Sequence, residues 1–536
     1  LSFWPVGTVI RTLGGYFVKR SARNDRIHGL VLKRYVTYLV KRGHLQKFFI
    51  EGGRSRNGRM RPPKLGLLKT MVSAYLRKDR RDVLFVPVSI SYEHVVEDSE
   101  YAKENTGKDK TEENLLSLFR ARSMLRQKYK EVIITFGECI RFSDFKAEFD
   151  KKEDKEILVE ELGNEIVSRI EAYSNIGLRS LTCLSVLLTK NYGLSRDALC
   201  TSVRNLSTVA EWYREVEGNT EYAQPTQALS RFLNNPEEFS HDFQSAGVIS
   251  QGPYLGDELV YLPGSRRYTA DFYKNSVFHI FVPLGLFSIL ECIGKNVSPE
   301  GVRPWYDLFA REFLLPRWSE YSKKLAHYHE ILVREGILEQ SPSHATNSNW
   351  RFSEVGKHHL IPGLLFPLIE STLWVMQCLD HMPFTERPHP HDPSRMRKIF
   401  DYNALLRTAQ HELRYSKYAG EFTRTEVSSL SGLISSIEGL ASQGTLSLQD
   451  RSGKRTSIIL EHEFEEQKNQ LLETHRALQE AMRKYPLTRC VVTEGEASER
   501  GIGNRTVQSS PFSDQSQDDF ESSDDSRTPG RGKYIQ

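Results

Sequence analysis

Apolar residues recur at helical spacing through the first part of the chain, broken by short β-rich runs. Over His28–Arg42, Val31, Tyr35, Tyr38 and Leu39 share a helical stripe that stops at Gly43. Leu67, Leu68, Met71, Val72, Tyr75 and Leu76 predict a second helix of the same kind, and 111–129 a third. Lys47–Ile50, Val83–Ile90 and Val132–Phe136 read as strands. Pro87 lacks a ladder donor, so it marks an edge or a strand end. This alternation predicts an α/β arrangement, a mixed sheet flanked by helices, over residues 1–150. Ligand chemistry is expected where strands give way to loops.

From 151 to 490 charged amphipathic patterns predict a mainly α-helical region of one or two domains, with helices at 151–174, 195–216, 303–336, 396–415 and 456–484. Gly252–Arg266, holding Leu259-Val260-Tyr261-Leu262, reads as a small hairpin. No run of 18 clean apolar residues predicts a membrane span. Val277–Leu290 is interrupted by His279 and Pro283, and Leu360–Met376 by Pro362, Pro367 and Glu370, so both read as buried helices. Residues 491–536 are rich in Ser, Asp, Gly and Arg and have almost nothing to bury, which predicts a disordered tail.

One stretch stands apart chemically. Phe48-Phe49-Ile50 stops at Glu51-Gly52-Gly53, and Arg54, Arg56 and Arg59 follow. Two glycines let backbone N–H groups approach a ligand, and guanidinium groups are planar, permanent donors suited to phosphate. The same residues would serve a solvated basic hairpin, but the surrounding charge favours an anion site. Residues 11–81 hold 20 Lys or Arg against Asp25, Glu51 and Asp79, whereas the 536-residue chain carries only +4. That asymmetry points to a phosphorylated substrate, an acidic membrane surface or nucleic acid. The six cysteines form no CxxC pair and read as free thiols, and no metal or cofactor motif is present.

With Glu51-Gly52-Gly53-Arg54-Ser55-Arg56 in place, the chain resembles the membrane-associated glycerol-3-phosphate acyltransferases, most closely the bacterial PlsB family. The second conserved block of that family is similar to Phe3-Trp4-Pro5-Val6-Gly7 followed by Gly14–Arg20. The third is similar to Phe49–Arg59, running on into Pro63-Lys64-Leu65-Gly66, and the fourth to Val86–Glu93. Tyr273-Lys274-Asn275 and His279 are similar, more loosely, to the helical C-terminal region. The first block, His-x-x-x-x-Asp, has no counterpart, since none of the 16 histidines has Asp five residues on. His381 and Glu386 are separated by Pro383, His475 and Glu480 fall on different helix faces, and His94 with Asp98 reads as a surface pair. The chain opens on Leu1 straight into Phe3-Trp4-Pro5, a start that reads as the middle of a domain. The catalytic His/Asp dyad is therefore expected upstream of Leu1, and residues 1–536 by themselves are expected not to turn over.

The resemblance implies transfer of a fatty acyl group from acyl-CoA or acyl carrier protein to the sn-1 hydroxyl of glycerol 3-phosphate, the first step of phospholipid synthesis. It implies no cofactor and a peripheral or monotopic place on the cytoplasmic face of the inner membrane. Residues 1–150 would be a partial acyltransferase domain. Arg54 and Arg20 are the first choices for phosphate contacts, with Lys19, Arg56 and Lys64 next. Glu51 would accept from a glycerol hydroxyl or hold the arginines. Gly52 and Gly53 would bring backbone to the ligand or simply make the turn, Ser55 would bond phosphate or cap the loop, and Pro87 would shape the strand end lining the acceptor site. The surplus basic residues would face anionic lipid or an acidic acyl donor. Two other readings stand beside this one: a non-catalytic truncated paralogue that binds lipid or partners, and nucleic-acid binding. Nucleic acid is not expected as a partner, because no recognition module accompanies the charge.

Overall fold

A computed structural model describes residues 6–16, 26–53, 55, 57–76, 82–93, 131–148, 154–236, 248–254, 257–341, 349–389, 392–416, 430–451, 454–461 and 463–484. The expected helix at 111–129 and the expected tail at 491–536 lie outside the described residues, as do Lys19, Arg20, Arg54 and Arg56.

A first, smaller core gathers Val36, Ile50, Leu68, Val72, Phe85 and Phe142 against Leu158, Leu162 and Val167. The helix Arg26–Lys41 turns Leu32, Val36 and Val40 inward. Most of the apolar stripe read from the sequence points outward, with Val31 59% and Tyr38 51% exposed beside Tyr35, Ile27 and Leu30. The helix Leu65–Leu76 lies as its sequence predicts and is buried all round from Thr70 to Ala74.

The expected strand at Lys47–Ile50 does not form. Residues 44–49 have no regular structure, and the Ile50 carbonyl accepts one bond, from the Lys64 N–H at 2.7 Å, without a ladder. Nor do the described residues of 1–150 make the expected mixed sheet. Leu84–Phe85 pairs antiparallel with Ile140–Arg141, and Val88–Tyr92 with Val132–Phe136. Pro87 sits buried at the break between the two pairs, accepting from the Gly137 N–H at 2.8 Å. A residue with no N–H cannot continue a ladder, so the sheet divides there.

The larger core is built on long helices. Lys155–Ala172 starts at Asp154, whose side chain accepts from the Glu156 N–H, and contributes to the first core. Arg196–Glu217 is capped by Ser195 and closed by Gly218 at φ +63°. Phe278–Cys292 and Phe366–His381 are buried helices, as their interrupted apolar runs predict. Among the described residues no single helix is long and apolar enough to cross a membrane. The bent pair Gly264–Asn275 and Phe278–Cys292 has the composition, but the second member is buried in the protein.

This region is less purely helical than expected. Ser250–Tyr254 and Asp257–Tyr261 form the expected hairpin, and Gly193–Ser195 adds a third strand to it. Leu338–Gln340 pairs with Trp350–Phe352. A four-stranded antiparallel sheet runs Thr385–His389, Asp392–Asp401, Lys454–Leu460, Leu446–Arg451. It takes the first residues of two expected helices. Met396–Phe400 ends a strand, and Asp401 then caps the helix Tyr402–Ser416 by accepting from the Ala404 N–H at 2.6 Å. The β-branched Thr456, Ile458 and Ile459 make a strand before the helix Phe464–Lys484. The expected helix 303–336 is two, Arg303–Phe309 and Trp318–Arg334, separated by a turn in which Leu314 has φ +48° and Pro316 follows.

Glu93, at the end of the fourth block, ties the strand Val88–Tyr92 to the helix Leu178–Leu188 of the larger core. It is 7% exposed and sits at the start of the helix Leu178–Leu188. Its carboxylate accepts from the Arg179 N–H at 3.3 Å and the Thr226 hydroxyl at 3.2 Å. A Cβ on Gly177 would come within 2.7 Å of that carboxylate. Glu93→Ala should therefore lower stability by about 1–3 kcal/mol, leaving two buried donors without an acceptor. Urea unfolding measures this, and a loss below about 0.5 kcal/mol would show the contact to be dispensable.

Candidate functional site

The third-block loop begins where Ile50 is anchored in the first core. Gly52 takes φ +64°, and its N–H donates to the Phe49 carbonyl at 3.0 Å. A Cβ there would lie 2.6 Å from Cγ of Lys64, so glycine is required both by backbone and by space. Gly53 lies beside the Arg61 guanidinium, which a Cβ would approach to 3.3 Å. Glu51 accepts from the Arg61 N–H at 3.1 Å, and burial raises its pKa above the usual carboxylate value. Ser55 Oγ donates to Asn57 Oδ1 at 3.1 Å, and the Arg59 N–H donates to the same oxygen at 3.2 Å. The loop is thus closed at both ends by its own polar side chains.

Its far end is pressed into the C-terminal region. Gly58 has φ +82°, and a Cβ there would stand 2.0 Å from the Phe272 carbonyl oxygen. Asn275 Nδ2 donates to the Asn57 carbonyl at 2.7 Å. Arg59 points inward, pairs with Glu312, and lies over the rings of Phe278 and Phe313 at 5.2 and 5.5 Å. Burial lowers the Arg59 pKa, while Asp271 and Glu171 oppose that shift. Asp271 is itself paired with the buried Lys274 at 2.5 Å.

Behind this junction lies a cavity of about 60 Å³ lined by Glu171, Tyr213, His279, Tyr321, Lys324 and Tyr328 among others. That is room for a few water-sized groups. Glu171 Oε1 is 3.5 Å from His279 Nδ1. Burial, reinforced by Glu51 and opposed by Arg59, raises the Glu171 pKa to about 8. Burial pushes His279 down to about 3. Both groups are then mainly neutral near pH 7. Lys324 and Glu217 form an ion pair at 2.9 Å on the same wall. Among the described residues no cluster of three or more His, Cys, Asp or Glu is arranged for a metal ion.

Comparison with known proteins matches both parts of the chain. Residues 101–449 match the family described as the glycerol-3-phosphate acyltransferase C-terminal region. The chain belongs to this glycerol-3-phosphate acyltransferase family. Residues 1–91 also match the acyltransferase family. A glycerol-3-phosphate acyltransferase from Xanthomonas campestris pv. campestris is 27% identical over 352 residues, 62% of this chain and 38% of the relative. One from Xylella fastidiosa is 26% identical over 352 residues, 62% and 39%. One from Pasteurella multocida is 28% identical over 354 residues, 63% and 43%. The chain thus spans about two fifths of the length of these curated relatives.

Of the residues proposed from the acyltransferase motifs, Glu51, Gly52, Gly53 and Lys64 come together in one turn, with Ser55 further along the same loop. Pro87 lies apart, at the strand break. Arg59, grouped with the phosphate donors on sequence, is spent on Glu312 instead. The sequence pattern assigns no role to Glu171, Glu312 or Asn57. Glu171 had no signal at all, being one charge among many on an amphipathic helix. Asn275, in the segment similar on sequence to the helical C-terminal region, is the residue that donates to the loop.

The two neutralised groups have opposite pH signatures. The Glu171 pKa is raised on folding, so its contribution to stability is greatest below about 4.5 and is lost as pH rises towards 8. The His279 pKa is lowered, so its contribution is lost as pH falls from 6.5 to about 3. They oppose each other up to pH 6.5, and only Glu171 acts above it. Stability of the native sequence should therefore fall between pH 6.5 and 8, and Glu171→Gln should flatten that fall. Chemical denaturation at half-unit pH steps tests this, and equal slopes in both proteins would place Glu171 ionised at neutrality.

Proposed function

We propose that this chain carries the acceptor-binding part of a glycerol-3-phosphate acyltransferase, the enzyme that moves a fatty acyl group from acyl-CoA or acyl carrier protein to the sn-1 hydroxyl. The observation that carries the reading is the Glu51–Lys64 turn. A left-handed glycine is folded under a lysine there, next to two arginines of the sequence, within a chain of this family. Such a turn lets a ligand approach the backbone closely beside cations, a combination that suits a small dianion. Arg54, Arg20 and Lys64 would hold the phosphate, supported by Lys19 and Arg56. Fixing the dianion would present its hydroxyl to a base, and orientation of this kind supplies several kcal/mol of barrier reduction. The base of that chemistry, a histidine held by an aspartate, has no counterpart among these 536 residues. Residues 1–536 by themselves would bind the acceptor without turning it over.

The exposed side of the helix Arg26–Lys41 supports a membrane-facing role. Ile27, Leu30, Val31, Tyr35 and Tyr38 are exposed among Arg26, Lys33, Arg34 and Lys41. A basic helix with an unburied apolar stripe suits the surface of an anionic bilayer, here the cytoplasmic face of the inner membrane.

Calorimetry with the whole chain should detect glycerol 3-phosphate but not glycerol. Arg54→Ala should weaken that binding about 10- to 100-fold, the worth of one charge-assisted hydrogen bond. Unchanged affinity in that variant would move the phosphate site elsewhere. The chain should also float with vesicles containing phosphatidylglycerol and remain behind with neutral phosphatidylcholine, and Leu30→Ser with Val31→Ser should abolish flotation. A shift of nucleic acid without any vesicle binding would count against the whole reading.

A further inference from the structure

Beyond the helix Lys155–Ala172, one hydrophobic side chain of the C-terminal region packs against the first core among the described residues, and its backbone is strained. Leu314, at φ +48°, reaches that core, whereas its neighbour Phe313 belongs to the larger one. A bulky residue in the left-handed region costs energy that surrounding contacts must offset. The same turn carries Glu312, 8% exposed at its side chain and paired with Arg59 of the third-block loop. The turn therefore reaches the first core with one residue, fills the larger core with the next, and grips the loop with a third.

Two further contacts fix the loop from the same side. The Phe272 carbonyl leaves no room for a side chain at position 58, and Asn275 donates to the Asn57 carbonyl. A loop bound at Asn57, Gly58 and Arg59 has little freedom left at Gly52 and Gly53. Those glycines would otherwise be the most mobile part of the cradle.

We propose that Glu312 and the 310–316 turn act as a positioning clamp that holds the Glu51–Arg59 loop in its acceptor-binding shape. Arg59 is then a positioning residue that acts through the loop, and not a phosphate ligand. This rests on the reading of the loop as the glycerol 3-phosphate site. The C-terminal region thereby contributes to acceptor affinity without touching the acceptor.

The test uses the whole chain and two variants that disturb the clamp in different ways. Glu312→Gln removes the charge opposite Arg59 at almost constant shape, and Gly58→Ala pushes the loop off the Phe272 carbonyl without altering any charge. Amide exchange of the 51–61 peptide and calorimetric affinity for glycerol 3-phosphate are read together, with exchange of the Phe278–Cys292 helix as the control for folding. Both variants should lose protection in the loop and bind at least tenfold more weakly, with the control helix unchanged. Unchanged loop protection in both would overturn the clamp, as would loss of protection with full affinity, since the contact would then be merely structural. If the native chain itself failed to bind glycerol 3-phosphate, the functional reading would fall. Loop protection in the two variants would then decide the clamp alone.

Discussion

A guanidinium buried beside a stacked pair of phenyl rings and facing a carboxylate is the contact on which the rest of this molecule turns. Arg59 brings its charge out of water to meet Glu312, and Phe278 and Phe313 supply the π-faces. A buried ion pair adds little net stability, because desolvation cancels most of the attraction. Removing one partner, however, strands the other. Such a pair specifies arrangement more than it strengthens it, and here the arrangement is that of a glycine-rich loop against a helical support.

The electrostatics around this contact form a graded set. Glu312 answers Arg59, Asp271 answers Lys274, and Glu217 answers Lys324. Glu171 lies within reach of Arg59, yet burial and the nearby Glu51 keep it mainly protonated at neutrality. The loop thus rests on an interior whose charges are almost all matched. Unspent positive charge is left to the outer surface, where the basic helix Arg26–Lys41 also carries its apolar stripe.

Much of this was legible in the sequence, and the failures have particular causes. The helices Arg26–Lys41, Leu65–Leu76 and Arg196–Glu217 followed from spacing and stop signals, and the hairpin 250–261 from its turn residues. The direction of the stripe on the first helix did not follow, since periodicity fixes a face but not what that face meets. Asp401 before Tyr402 is the cap that starts the helix, and the amphipathic pattern of 396–415 masks the strand residues ahead of it. Lys47–Ile50 has strand composition but pairs with no strand among the described residues. At the site, the glycines and Lys64 were readable because a motif needs them in one short stretch. Glu312 and Asn57 were not, because their significance comes from residues more than two hundred positions away.

That separation has a bearing on biogenesis. Asn57 and Asn275 are 218 residues apart, so the loop leaves the ribosome long before its support exists. At ordinary bacterial elongation speeds the delay is about 10 to 45 s. During it, Arg59 and the half-formed N-terminal core have no docking partner, and an unanchored basic, apolar segment is a natural client for chaperones or for early capture by lipid.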